Sequence, residues 1–94
     1  MSVYYLDKLM YQLNRDPVVQ ARYKEDREAL LEEYRLTDEE RQAVLDEDIG
    51  KLYSLGNQPQ LLMHFAALVG YAWMDYIEAM REGAKKYGEP HYER

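Results

Sequence analysis

The sequence predicts an all-α fold, a compact bundle of about five to six short helices. Three observations predict it. Apolar residues recur at helical spacing along nearly the whole chain. Capping residues followed by short periodic segments recur at close intervals. No window shows sustained β alternation or a hairpin turn. The 94 residues make one small domain, of a size that buries only about 60–65% of the surface its unfolded chain would expose. A single helical domain is expected at 1–84, followed by a flexible tail at 85–94.

Each element has a local reason. Leu6, Leu9, Met10 and Leu13 fall at i, i+3, i+4 and i+7, an apolar stripe for the first helix. Asn14 and Arg15 break it, and Asp16-Pro17 reads as an N-cap followed by proline at the first helical position. Val18, Val19 and Tyr23 lead into Lys24-Glu25-Asp26-Arg27-Glu28, too charged to face a core. Asp26 reads as a fresh cap, with Ala29, Leu30, Leu31 and Tyr34 in a third segment at a new angle. One unbroken helix from Pro17 to Tyr34 is the competing reading. Thr37 with Glu40 forms a capping box, followed by Ala43, Val44 and Leu45. Asp48 caps a second short helix in which Ile49, Leu52 and Tyr53 share a face. Gly56 supplies the left-handed residue that ends it, and Pro59 pre-sets the next first turn. Leu61 to Val69 should be the most buried helix, with Gly70 as its end. Trp73, Ile77 and Met80 mark the last helix, which is expected to stop near Gly83. Beyond it, KKYGEPHYER mixes glycine, proline and charge without periodicity.

Composition narrows the function classes. With no cysteine, thiolate–metal and disulfide chemistry are absent, which fits a reducing cytoplasm. No apolar run approaches about 18 residues, and the start carries Asp7 and no basic leader, so neither a membrane span nor a secretory signal is expected. A net charge of −6 repels phosphate backbones, and Lys85 with Lys86 are too few to make a basic patch, so no nucleic-acid partner is expected. Ten tyrosines are the oddest figure, because tyrosine is enriched where protein meets protein.

Catalytic machinery is hard to find. Two histidines exist, and an iron(II) facial triad needs two imidazoles and a carboxylate at one point. His64 lies on the most apolar helix and His91 in the tail, without helical-pair spacing, so no metal ligands are expected in this chain. A hydrogen-bonded, partly buried His64 and a solvated His91 are the bland alternative, and a His64 facing a partner's site is the third. Glu32-Glu33, Asp38 to Glu40 and Asp46 to Asp48 are cap positions and exposed first turns, where acids suit the helix dipole. They are not carboxylates in unlike environments, as acid–base catalysis requires. Ser2 and Ser54 have no neighbouring base to activate them, and Gly56 has no glycine-rich run around it. No catalytic residue is assigned, and no activity is expected of the chain alone.

Phe65, Tyr71, Trp73 and Tyr76 read first as core packing at helical spacing. The sharper reading is that Tyr71, with His64, faces out and meets another protein, since so small a bundle cannot bury ten tyrosines. His64, Phe65, Tyr71 and Trp73 are therefore the candidate partner- or substrate-facing residues.

An ordered set of segments carries a family resemblance: LDKLMYQL, then ARYKED, then the stretch ending at Tyr34, LTDEERQAVLDED, KLYSLGN and the Leu61-Leu62 pair. DYIEAMREG at 75–83 follows. In this order the chain resembles the LigA family, the small (α) subunit of protocatechuate 4,5-dioxygenase and related extradiol ring-cleaving enzymes. The Leu-Thr start, the Asp48 to Gly56 spacing and Ser54-Leu55-Gly56-Asn57 carry the greatest weight. The resemblance implies an all-helical accessory subunit. Its partner would be a large (β) subunit that carries iron(II), over whose site the small chain packs while a catechol-type ring is cleaved beside its two hydroxyls. Only Val69 to Met74 separate the Leu62 helix from the last one, so substrate contacts are not carried across from protocatechuate-type subunits. This short form looks more like the small subunits of enzymes for bulkier catechols, such as aminobiphenyl-diol dioxygenases. It also resembles small recognition domains that work beside unrelated enzymes, including peptide-modifying methyltransferases. A stand-alone protein- or peptide-recognition module is the alternative, and homo-oligomerisation of the isolated chain a third option.

Overall fold

The computed structural model describes residues 3–88. Six helices occur among them: α1 (Tyr4–Arg15), α2 (Pro17–Glu32), α3 (Asp38–Leu45), α4 (Ile49–Ser54), α5 (Pro59–Leu68) and α6 (Trp73–Tyr87). No strand occurs among the described residues.

The start signals work as read. The Asp16 carboxylate accepts from the Val18 amide at 2.9 Å, with Pro17 opening α2. At α3 the capping box closes in both directions: Thr37 Oγ1 accepts from the Glu40 amide at 3.0 Å, and the Glu40 carboxylate accepts from the Thr37 amide at 2.8 Å. Asp48 Oδ1 accepts from the Lys51 amide at 3.1 Å to start α4, and Gln58 Oε1 from the Leu61 amide at 3.0 Å to start α5. Between the two readings of α2, the structure favours the broken one. Asp26 leaves helical geometry (φ −155°, ψ 84°), and its carboxylate accepts from the Ala29 amide at 3.2 Å. Arg22 grips the Glu33 carboxylate with both terminal nitrogens, tying the two halves across the bend.

Three successive helices end in the same way. The amides two and three residues beyond α3, α4 and α5 turn back onto carbonyls of the last turn: Glu47 and Asp48 onto Val44 and Ala43, Gly56 and Asn57 onto Tyr53 and Leu52, Gly70 and Tyr71 onto Ala67 and Ala66. This closure needs one left-handed residue. Gly56 (φ 101°) and Gly70 (φ 98°) fill that place at two ends, but Glu47 (φ 52°) fills the first. A side chain there costs about 1–2 kcal/mol, so something must hold Glu47 in position.

The core takes at least one side chain from every helix: Leu6, Leu9, Met10 and Leu13; Tyr23, Leu30 and Leu31; Ala43 and Val44; Ile49 and Leu52; Leu62, Phe65 and Ala66; and Tyr76. The α4–α5 corner is anchored to α1 by Asp7, whose Oδ1 accepts from Asn57 Nδ2 (2.5 Å) and the Gln58 amide (3.0 Å). Asn57 is fully buried and its own Oδ1 is unpartnered.

One expectation is corrected by the last helix. It does not stop near Gly83 but runs to Tyr87, so residues 85–87 of the expected tail are helical; residues 89–94, including His91, lie outside the described residues. Gly83 is mid-helix because α6 crosses α4 there, backbone against backbone, with no room for a Cβ on either Gly83 or Gly50. The far end of α6 is clamped as well. Tyr87 donates its hydroxyl to Asp48 Oδ2 at 3.1 Å and lies 4.7 Å from Lys51 Nζ, while the Ser54 hydroxyl donates to Gly88 O at 2.7 Å. The rotation of α6 also decides which of its residues face inward. Tyr76 and Gly83 are buried, whereas Trp73 is 59% exposed. The Gly83 crossing and the Tyr76 hydroxyl, which donates to Pro59 O at 3.1 Å, set this rotation.

Candidate partner-facing surface

α5 was expected to be the most buried helix, and it is not. It buries three of its ten residues, Leu62, Phe65 and Ala66, and exposes two, whereas α4 buries three of six and exposes none. Leu61, Met63, His64 and Leu68 are half-buried, and Ala67 is exposed. Met63, His64 and Ala67 fall at i, i+1 and i+4, on the side away from the core. A surface helix ordinarily turns a charged face to water; α5 has no charged residue to turn. Its open side is uncharged, with the exposed Gln60 in line with Met63, His64 and Ala67.

At the first turn of α5 this side continues onto α6. Tyr76 reaches Pro59 through its hydroxyl, and its ring lies 5.6 Å from Trp73. Trp73 and Met74, 59% and 71% exposed, open α6 with two large apolar side chains in solvent. Burial raises the Tyr76 hydroxyl above the ordinary tyrosine range, with the neighbouring Tyr53 adding to it, so it remains a donor to Pro59.

The four candidate residues are therefore not one cluster. Trp73 is at the surface and His64 is half-buried on the open side of α5. Phe65 points the other way, 2% exposed and edge-on to Tyr23 at 6.0 Å; it is a core residue and presents nothing outward. Tyr71 is half-buried and committed within the chain, donating to Glu47 O at 3.1 Å. Met74, which no spacing argument singled out, is at the surface instead, and Met63 is half-buried against the core. Their signal was the absence of charge from Pro59 to Met74.

Tyr71 also answers what holds Glu47. The Glu47 carbonyl accepts from Tyr71, and its carboxylate Oε2 accepts from Tyr23 (3.1 Å) and Arg27 (2.9 Å). This one residue ties α2, the α3–α4 corner and the α5–α6 loop together. Burial, chiefly, pushes the Tyr23 hydroxyl up to about 12, which keeps it protonated as a donor. A cleft of ≈ 460 Å³ opens beside this network, lined by Tyr23, Lys24, Glu25, Arg27, Glu47, Leu68 and Val69. Its charges cancel and its buried polar groups serve one another, so it displays no unspent donor or acceptor set.

Nor do the described residues bring three of His, Cys, Asp and Glu together to hold a metal ion. No helix among them is long and apolar enough to cross a membrane.

No curated protein and no solved structure matches the chain. The family model described as the LigA subunit of the aromatic-ring-opening dioxygenase LigAB matches residues 6–87, from α1 to the last residue of α6. The chain belongs to the LigA family, the small subunits of LigAB-type ring-opening dioxygenases.

Proposed function

We propose that this chain is the non-catalytic small subunit of an extradiol dioxygenase, acting in the cytoplasm as a helical cover over the iron(II) site of a large subunit that opens catechol-type rings. The observation that carries the reading is the open side of α5. A helix without a charged face is stable when its sides are covered, and here Met63 and His64 are only half covered, Gln60 and Ala67 are exposed, and Trp73 and Met74 stand exposed at the start of α6. Tryptophan and methionine are enriched in the cores of protein interfaces. The partner's iron would supply the oxygen chemistry. This chain's share is to exclude water from that mouth, which suppresses side reactions, and to bring His64 to its rim, where its ring can hydrogen-bond another molecule.

The test is co-expression with a large dioxygenase subunit, purification of the pair, and oxygen uptake on a catechol. The pair should turn over faster than the large subunit alone. Trp73 is the sole tryptophan and should be open to iodide quenching in the free chain and shielded in the complex. Trp73→Ala should weaken assembly about thirtyfold, as expected for an aromatic anchor contributing about 2 kcal/mol. A pair whose turnover is unchanged when the small chain is left out would overturn the reading.

A further inference from the structure

The methionines of the described residues do not share one environment. Met10 is 1% exposed, inside the core. Met63 and Met80 are half-buried and packed against that core. Met74 is 71% exposed, more than any other large apolar side chain among the described residues. It belongs neither to the core nor to the side chains packed against it. As the second residue of α6, next to Trp73, it sits where the fold draws no packing from it.

A thioether differs from the aliphatic side chains in that a reaction reverses its polarity. A sulfur lone pair attacks one oxygen of hydrogen peroxide, the O–O bond breaks and an S–O bond forms. The second oxygen leaves as hydroxide and takes up the proton carried over on the transferred oxygen, so the products are a sulfoxide and water. Sulfur is oxidised by two electrons and the peroxide is reduced by two. The reaction needs access to the sulfur, and its product is a polar side chain that dedicated reductases return to the thioether.

We propose that Met74 is an oxidation-sensitive switch on assembly: hydrogen peroxide converts it to the sulfoxide in the free chain, and the sulfoxide form docks poorly. The inference rests on the cover role, in which Trp73 and Met74 enter the contact. A methionine in an interface supplies a flexible apolar contact. Its sulfoxide brings a strong acceptor oxygen into that contact, and burying such a group without a donor is unfavourable. The placement also gives the switch a direction. Docking covers Met74, so the assembled pair is protected and only the unassembled chain is converted. The fold itself is indifferent, because Met74 contributes nothing to the core.

The test treats the free full chain briefly with hydrogen peroxide and locates the added oxygen by peptide mass spectrometry. Met74 should be oxidised well ahead of Met63 and Met80, with Met10 slower still, and the thermal unfolding curve should be unchanged. Titration into the purified large subunit then compares treated and untreated chains. Oxidation should weaken binding about tenfold or more, and the two reductases specific for the sulfoxide epimers should restore it. Peroxide should have no effect on binding by Met74→Leu, and peroxide added after assembly should leave Met74 unmodified. A Met74 that reacts no faster than Met63 and Met80 overturns the inference and leaves the cover role standing. So does a treated chain that binds as tightly as the untreated one, or a loss of binding that persists in treated Met74→Leu. An untreated chain that does not bind overturns the cover role and this inference with it.

Discussion

Alanine at Gly83 sets two physical effects against each other, and the structure decides between them. Inside a helix, glycine to alanine is worth about 1 kcal/mol in favour of the folded state, and Gly83 is well inside α6. A Cβ there would stand 2.3 Å from the Cα of Gly50 and 2.5 Å from its carbonyl oxygen. Comfortable carbon contacts are about 3.5–4.0 Å, so the helices must part by roughly 1 Å, which forfeits a quarter to a half of the dispersion between facing atoms. Overpacking costs about 1–3 kcal/mol, sometimes more, and the upper end applies because the opposing atoms are backbone and cannot rotate aside. The net loss is about 2 kcal/mol, or a fall in Tm of roughly 10 °C for a domain of this size. Thermal unfolding followed by far-ultraviolet circular dichroism measures it. Gly70→Ala is the comparison: nothing lies within 4 Å of its Cβ, and only the left-handed backbone (φ 98°) opposes it, by about 1–2 kcal/mol. A Gly83→Ala protein that melts at or above the wild-type temperature would show that helix propensity outweighs the crossing and refute the reasoning.

Other outcomes follow from single contacts. Thr37→Ala removes the acceptor of the Glu40 amide and should cost about 1 kcal/mol in urea unfolding, with Thr37→Ser close to wild type. Asp7→Ala strands the buried Asn57 amide and the Gln58 N–H and should cost about 1–3 kcal/mol by the same assay, with Asp7→Asn milder. Tyr23 is raised from 10.0 to about 12 in the folded chain, so the folded state holds its proton more tightly. Its contribution is complete below pH 10 and declines as the pH rises through about 12; Tyr23→Phe should flatten that part of the stability–pH curve.

Legibility in the sequence followed the range of the interaction. Signals closed within three or four residues were readable: the Thr37–Glu40 box, the Asp16-Pro17 start, the fresh cap at Asp26, the left-handed Gly56. Those that depend on a distant segment were not. Gly83 read as a stop because its partner, Gly50, is on another helix. Spacing alone left Trp73 open between core and surface, because the rotation of α6 that decides it is set by the Gly50 contact and by Pro59. Phe65 shared an apolar run with Met63 and His64, and periodicity in a helix apolar on all sides cannot tell which side meets Tyr23. Glu47 gave no signal as a helix end, since glycine or asparagine normally takes that place and the groups that hold it come from α2 and from Tyr71.

Asp48 ties two chain segments into one cooperative event. One carboxylate oxygen starts α4 at Lys51 and the other receives Tyr87, so fraying at the far end of α6 strips a support from the opening turn of a helix 39 positions earlier. Amide protons at those two places should therefore exchange with solvent at a shared rate, and a double-mutant cycle between Asp48 and Tyr87 should be non-additive.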